Sequence, residues 1–73
     1  MKGFILIDSK NKKIYKQLKR NGVEIYSIYG EYNNIAEMEF ENLDEFKKYV
    51  DEIKNFSGIN KVKVLSAIKY NKA

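Results

Sequence analysis

The sequence predicts an α+β domain with the element order strand, helix, strand, strand, helix, strand. Three observations predict it. A short apolar run, Phe4-Ile5-Leu6-Ile7, opens the chain as a strand. The stretch from Val23 to Phe40 reads as two β-rich runs joined across Gly30. After Asn42, the residues Leu43, Phe46, Val50 and Ile53 recur at helical spacing. Right-handed crossovers then give a four-stranded antiparallel sheet with both helices on one face, the ferredoxin-like βαββαβ architecture. The 73 residues form one domain spanning 1–73.

Each element has its own signal. Phe4 to Ile7 is apolar on both side-chain parities, as in a strand covered on two faces. Asp8 or Ser9 offers a helix N-cap for a basic helix from Lys10 to Arg20. Ile14 and Leu18, with Tyr15 beside them, are its apolar stripe. Asn21-Gly22 stops it, and Lys19 and Arg20 fall in its last turn, where cations complement the helix dipole. The hairpin follows as Val23 to Tyr29 and Ile35 to Phe40, with Gly30 to Asn34 as its loop. Ala36, Met38 and Phe40 make one apolar face of the second run, and Ile35, Glu37 and Glu39 the other. Asn42 caps the second helix, with Glu45 three residues on, and Ser57-Gly58 ends it. Ile59 to Tyr70 closes the chain as a strand in which Val62, Val64 and Ile68 alternate with Lys61, Lys63 and Lys69.

Composition removes several kinds of chemistry. With neither Cys nor His in the chain, disulfides, thiol nucleophiles, imidazole bases and His-ligated metals are excluded. No cofactor is implied, and no nucleophile–base pair or metal cluster points to an enzyme. The opening apolar run spans four residues before Asp8, too short for a signal sequence, and no stretch reaches the ~20 apolar residues of a membrane span. The expectation is a soluble, cytoplasmic protein without a membrane partner. The net charge of +4 is local: residues 1–22 carry seven Lys/Arg and one Asp, and the remainder carries seven Lys and nine Asp/Glu. The basicity belongs to the first helix.

A domain this small is marginal alone, and oligomerisation is its remaining route to stability. Three of the four strands place apolar side chains on both parities, so the sheet face away from the helices is an interaction surface. A twofold homodimer through that face is the simplest solution.

The run Ile25-Tyr-Ser-Ile-Tyr-Gly-Glu-Tyr-Asn-Asn-Ile-Ala-Glu-Met-Glu-Phe40 resembles the hairpin of the Lrp/AsnC effector-binding domain, also called the RAM domain. There a hydrophobic strand leads into Gly-Asp/Glu-Tyr-Asp and then another hydrophobic strand. The resemblance extends through Asn42-Leu-Asp-Glu-Phe46 and Gly58-Ile59, and covers roughly Phe4 to Ile68. It implies a non-enzymatic module linked to transcriptional regulation. It implies sheet-to-sheet dimers, their assembly into larger rings, and an amino acid or related small molecule bound near the loop. Gly30, Glu31, Tyr32, Asn33 and Asn34 are then the ligand candidates, with Ser66 of the closing strand as a further one. Two departures stand out. The chain has no room for the helix-turn-helix domain of full-length members, so it looks like a stand-alone form that pairs with full-length Lrp/AsnC relatives. Asn33 stands where the family has Asp, and an amide accepts a hydrogen bond from an ammonium group without neutralising it.

Plainer readings accompany these. Gly30 and Asn33 also serve as ordinary turn residues. Tyr26, Tyr29 and Tyr32 form either interface packing or a stacking platform for nucleic acid. The helix face of Lys10, Lys12, Lys13, Lys16, Lys19 and Arg20 reads as solvated. If it tracks phosphates instead, the chain is an RNA- or ribosome-associated protein of the same fold. The RNA-recognition signature run of that fold is absent from the sequence, which weighs against direct nucleic-acid binding. Glu37, Glu39 and Glu41 alternate along a strand, as an exposed face or as a cation site.

Overall fold

From Lys2 to Ser9 every second residue is buried, and this alternation orients the whole sheet. A computed structural model describes residues 1–11 and 13–67. Its elements are β1 (Lys2–Ser9), α1 (Tyr15–Leu18), β2 (Val23–Ser27), β3 (Asn34–Glu39), α2 (Leu43–Lys54) and β4 (Ile59–Ala67). The four strands form one antiparallel sheet in the order β2-β3-β1-β4. This is the predicted ferredoxin-like α+β fold. Of the expected closing strand, Ile68, Lys69 and Tyr70 lie outside the described residues, as does Lys12 of the basic face.

The core lies between the sheet and the helices. Ile5, Ile7 and Ala36 on the sheet meet Ile14, Leu18, Phe46, Tyr49, Val50 and Ile53, and all of them are buried. Phe40, just past β3, stacks on Phe46 with ring centroids 4.8 Å apart. Gly3 permits this arrangement: a Cβ there would lie 2.4 Å from Cε1 of Phe46. β1 is fully buried on this face only. Phe4 and Leu6, expected to be covered as well, are half-buried on the opposite face.

The first helix is shorter than the sequence predicts. Strand pairing carries β1 through Ser9, opposite Ile59, so neither Asp8 nor Ser9 caps a helix. The Ser9 hydroxyl instead accepts from the Asn11 N–H at 3.0 Å, and Asn11 Oδ1 accepts from the Lys13 N–H at 2.9 Å. That turn consumes the residues expected to form the helix's first turns, and Ile14 occupies the N-cap position with no side-chain cap. Lys19 is already extended, so Lys19 and Arg20 lie beyond the helix, and its basic last-turn residue is Lys16. Ile14 and Leu18 are buried as expected, whereas Tyr15 is 46% exposed. Gly22 turns the chain into β2 with φ +82°, a conformation that costs a side-chain-bearing residue more.

α2 forms as read. The Asn42 side chain accepts from the Glu45 N–H at 3.1 Å, while Asp44 and Glu45 occupy its first turn and Lys54 its last. Leu43 departs from the expected stripe, being 46% exposed, and Tyr49 takes a buried place instead. The Tyr49 hydroxyl donates to the Leu18 carbonyl at 2.6 Å, and burial pushes its pKa up to about 12. Arg20 lies over the Tyr49 ring, 4.7 Å from its centroid, and pairs with Glu52. The end of α1 is thereby tied to α2.

Candidate functional site

The hairpin loop is longer than expected, because β2 ends at Ser27 and β3 starts at Asn34. Gly30, at φ +124°, makes its reversal. Among the described residues only glycines have positive φ. The loop is stitched to the sheet by its own backbone. The Ile28 N–H donates to the Asn33 carbonyl at 3.1 Å, and the Asn33 N–H donates to the Ile7 carbonyl at 3.0 Å.

The Asn33 side chain extends this stitching. Its Nδ2 donates to the Ser9 carbonyl at 2.7 Å, and its Oδ1 accepts from the Ser9 N–H at 3.3 Å. The same Oδ1 accepts from Asn34 Nδ2 at 3.0 Å, and Asn34 itself is buried. Asn33 thus satisfies both backbone groups of one β1 residue, as a strand neighbour would. The bracket needs a donor and an acceptor on one planar group, which an amide supplies and a carboxylate does not.

Glu31 and Tyr32 lean the other way, toward β4. Lys61 Nζ donates to Glu31 Oε1 at 2.7 Å and lies 5.0 Å from the centroid of the Tyr32 ring. The Lys61 ammonium holds the Glu31 carboxyl below its usual range, and Glu31 in turn raises the Lys61 pKa. Nothing in the sequence singles out Lys61, because only the β1–β4 register, with Asp8 opposite Lys61, brings it to the loop. The five loop candidates, Gly30 to Asn34, therefore stand together at one end of the sheet. Ser66 stands apart: it pairs with Gly3 in the backbone register, whereas Asn34 pairs with Ile7. The Ser66 side chain lies outside the described residues.

Asn33 and Asn34 also border a groove of about 940 Å³, whose other walls come from Tyr15, Lys19, β2 and the following Ile28 and Tyr29. Neither Tyr15 nor Lys19 was expected there, since a full-length first helix would have put Lys19 in its last turn.

Opposite the helices the sheet presents an ordered pattern. Phe4, Leu6, Ile35, Tyr26 and Leu65 share this face by strand register, with Tyr26 at 47% and Leu65 at 46% exposure. Acids gather on the β2–β3 side as Glu24, Glu37 and Glu39, and lysines on β4 as Lys61 and Lys63. Lys2 bridges to Glu37 at 3.2 Å, and Glu37 raises the Lys2 pKa. Tyr26 Oη donates to Glu24 Oε2 at 2.5 Å, which raises the Tyr26 pKa. Among the described residues, no group of three or more acids is arranged to hold a metal ion, and no helix is long and apolar enough to cross a membrane.

Solved structures share this arrangement. FFRP-DM1 superposes with a TM-score of 0.82 at 27% identity, covering 92% of this chain and 97% of that one. AsnC of E. coli superposes with a TM-score of 0.72 at 19% identity over 99% of this chain and 53% of AsnC. The chain has an Lrp/AsnC-type RAM fold. A transcriptional regulator of Neisseria meningitidis, NMB0573, solved as a complex with L-Met, matches with a TM-score of 0.74 at 19% identity. That match covers 99% of this chain and 52% of the regulator, so the RAM-like domain spans about half of each of these two proteins. No family model matches the sequence, and no curated protein matches it.

Proposed function

We propose that this RAM-like domain is a non-enzymatic module that joins copies of itself through the open sheet face and binds a small-molecule effector, in the service of transcriptional regulation. The face opposite the helices carries the reading. A twofold axis along the strands would lay the β2–β3 side of one sheet over the β4 side of its partner. Phe4, Leu6, Ile35, Tyr26 and Leu65 would then close the centre. Burying these five side chains removes apolar surface from water at ~25 cal/mol per Å².

For the ligand we propose an amino acid or a close relative, held beside Gly30, Glu31, Tyr32, Asn33 and Asn34, with Ser66 as a more distant candidate. The proposal is supported by the loop's position at the sheet end and by the L-Met complex of NMB0573. Because the Asn33 amide is already engaged with Ser9, Glu31 is the loop carboxylate left to meet an ammonium group, in competition with Lys61. Dimers would assemble into rings, and full-length Lrp/AsnC proteins would be further partners. A ligand bound between copies stabilises the assembly by mass action, which lets an inert domain report a metabolite level.

A thermal-shift screen against the amino acids tests the ligand. At least one should raise Tm, and the shift should disappear in Tyr32→Ala and Glu31→Gln. The absence of a shift with every amino acid would refute the effector reading and leave the assembly to be judged on its own.

A further inference from the structure

The positive charge around α1 takes no part in the proposed dimer face or in the contacts of the effector loop. The turn that enters α1 is wound tightly: the N–H groups of Ile14, Lys16 and Gln17 donate to the carbonyls of Asn11, Lys13 and Ile14, each three residues back. Side chains three apart eclipse in such winding, so Lys13 and Lys16 lie one above the other while Ile14 and Leu18 turn into the core. Lys19, three residues further on, lines the groove of about 940 Å³ beside β2. All three lysines are exposed, and among the described residues none of them makes an ion pair, whereas Lys2, Arg20 and Lys61 do.

Two exposed aromatic rings stand beside this row. Tyr15 and Tyr29 both line the groove, the first 46% exposed and the second fully so. A further wall is the outer edge of β2. Met1 and Phe40 exchange both of their backbone hydrogen bonds, at 3.1 and 2.9 Å, which fixes the phase of the antiparallel ladder. Met38, Ala36 and Asn34 of β3 then bond to β1, and the intervening Glu37 and Ile35 bond to Glu24 and Tyr26 of β2. The N–H and C=O groups of Ile25 and Ser27 therefore point outward, with no backbone partner among the described residues. Glu24 does not oppose the lysines: by register it shares the opposite sheet face with Tyr26, from whose hydroxyl it accepts a hydrogen bond.

We propose that this groove binds single-stranded nucleic acid, with phosphates on Lys13, Lys16 and Lys19, bases stacked on Tyr15 and Tyr29, and base edges against the open edge of β2. Phosphate contacts gain affinity by releasing counterions, and aromatic rings stack on any base. An N–H and a C=O side by side, as at Ile25, meet the neighbouring acceptor and donor on the Watson–Crick edge of an unpaired base. A duplex fits less well, because its stacked bases leave both tyrosines and the strand edge unused. An acidic peptide paired to β2 fits less well, because strand alternation sends half of its side chains to the face of Glu24 and Glu37. The RNA-recognition signature missing from the sequence belongs to the sheet face of this fold, whereas this groove lies at the sheet's edge. The groove meets the effector loop at Asn33 and Asn34, so binding is measured without any amino acid and does not rest on the effector reading.

The probes are fluorescein-labelled octathymidylate and octauridylate, read by anisotropy on the native protein. At least one should bind, and its log Kd should rise with log salt concentration at a slope of about 2, from ~0.7 per phosphate met. Lys13→Gln/Lys16→Gln, at exposed positions, should cut that slope by about 1.4. Tyr15→Ala and Tyr29→Ala should each weaken binding at least about fivefold and leave the slope unchanged, since the rings carry no charge. A hairpin duplex with the same number of phosphates should bind at least about tenfold more weakly. The bound strand should slow amide exchange at Ile25 and Ser27. The proposal is overturned if neither oligonucleotide binds, if the duplex binds as tightly, or if the slope ignores the double lysine variant. It is overturned equally if the tyrosine variants bind as the native protein does, or if the amides of Ile25 and Ser27 exchange as fast with the oligonucleotide as without it.

Discussion

Replacing Asn33 by aspartate keeps the shape of the side chain and removes a single donor. In the native protein that donor meets the Ser9 carbonyl at 2.7 Å, and the neighbouring Oδ1 accepts from Ser9 at 3.3 Å and from Asn34 at 3.0 Å. A carboxylate preserves both acceptor roles and turns the third contact into two oxygens facing each other. Leaving such a carbonyl without a partner costs about 1–3 kcal/mol, and the half-exposed setting favours the lower part of that range. At ~4–8 °C per kcal/mol for a domain of this size, Asn33→Asp should lower Tm at pH 7 by about 5–15 °C. Acid should restore much of it, because a protonated carboxyl again has one donor and one acceptor. The new group therefore has its pKa raised on folding. Its penalty is complete above the folded-state pKa and disappears as pH falls through that value toward the ~3.9 of an unfolded aspartate. Thermal melts of Asn33→Asp and native protein at matched pH values between 7 and ~3.5 give the difference directly. Equal stability at pH 7, or a deficit that does not shrink in acid, would refute the bracket between Asn33 and Ser9. Asn33→Ala should be destabilised with no such recovery.

Further predictions concern other parts of the fold. Tyr49→Phe leaves the Leu18 carbonyl without its donor and should cost about 1–2 kcal/mol by urea unfolding. Gly3→Ala forces a methyl into Phe46 and should cost about 1–3 kcal/mol, with relief in the double variant Gly3→Ala/Phe46→Leu. The Glu31–Lys61 contact should hold the loop across a wide pH range. Glu31 has its pKa lowered from 4.5, so its share is present above that value and lost as pH falls through the lower folded value. Lys61 has its pKa raised from 10.5, so its share is present below that value and lost as pH rises through the higher folded value. Amide shifts of Glu31 and Tyr32 followed by NMR should move in those two outer windows and stay constant between them.

The fold was legible where one periodicity ran undisturbed. Phe46, Val50 and Ile53 gave α2, and Asn42 with Glu45 gave its start, because helix, cap and dipole signals agree there. The first helix misled because the local signal was sound in isolation. Ser9 and a following basic stretch look like a capped helix, but pairing with β4 held Ser9 in the sheet, a long-range contact that no local window contains. Leu43, at the helix start, is exposed where the stripe expected it buried, and Tyr49 is buried because the Leu18 carbonyl accepts the hydrogen bond of its phenol. At the candidate site the loop residues themselves were legible, but their partners were not. Ser9 and Lys61 reach the loop through strand register, and the groove along β2 exists because α1 is short.

The pairing of open sheet faces is tested most directly by the mass of the particle in solution. Light scattering on the size-fractionated native protein at tens of micromolar should give twice the 8.6 kDa of one chain or a larger even multiple, and Leu6→Glu, at the centre of the face, should give 8.6 kDa with the helical signal intact. A native protein that elutes as a single 8.6 kDa chain, or a Leu6→Glu variant that assembles as the native protein does, would contradict the account.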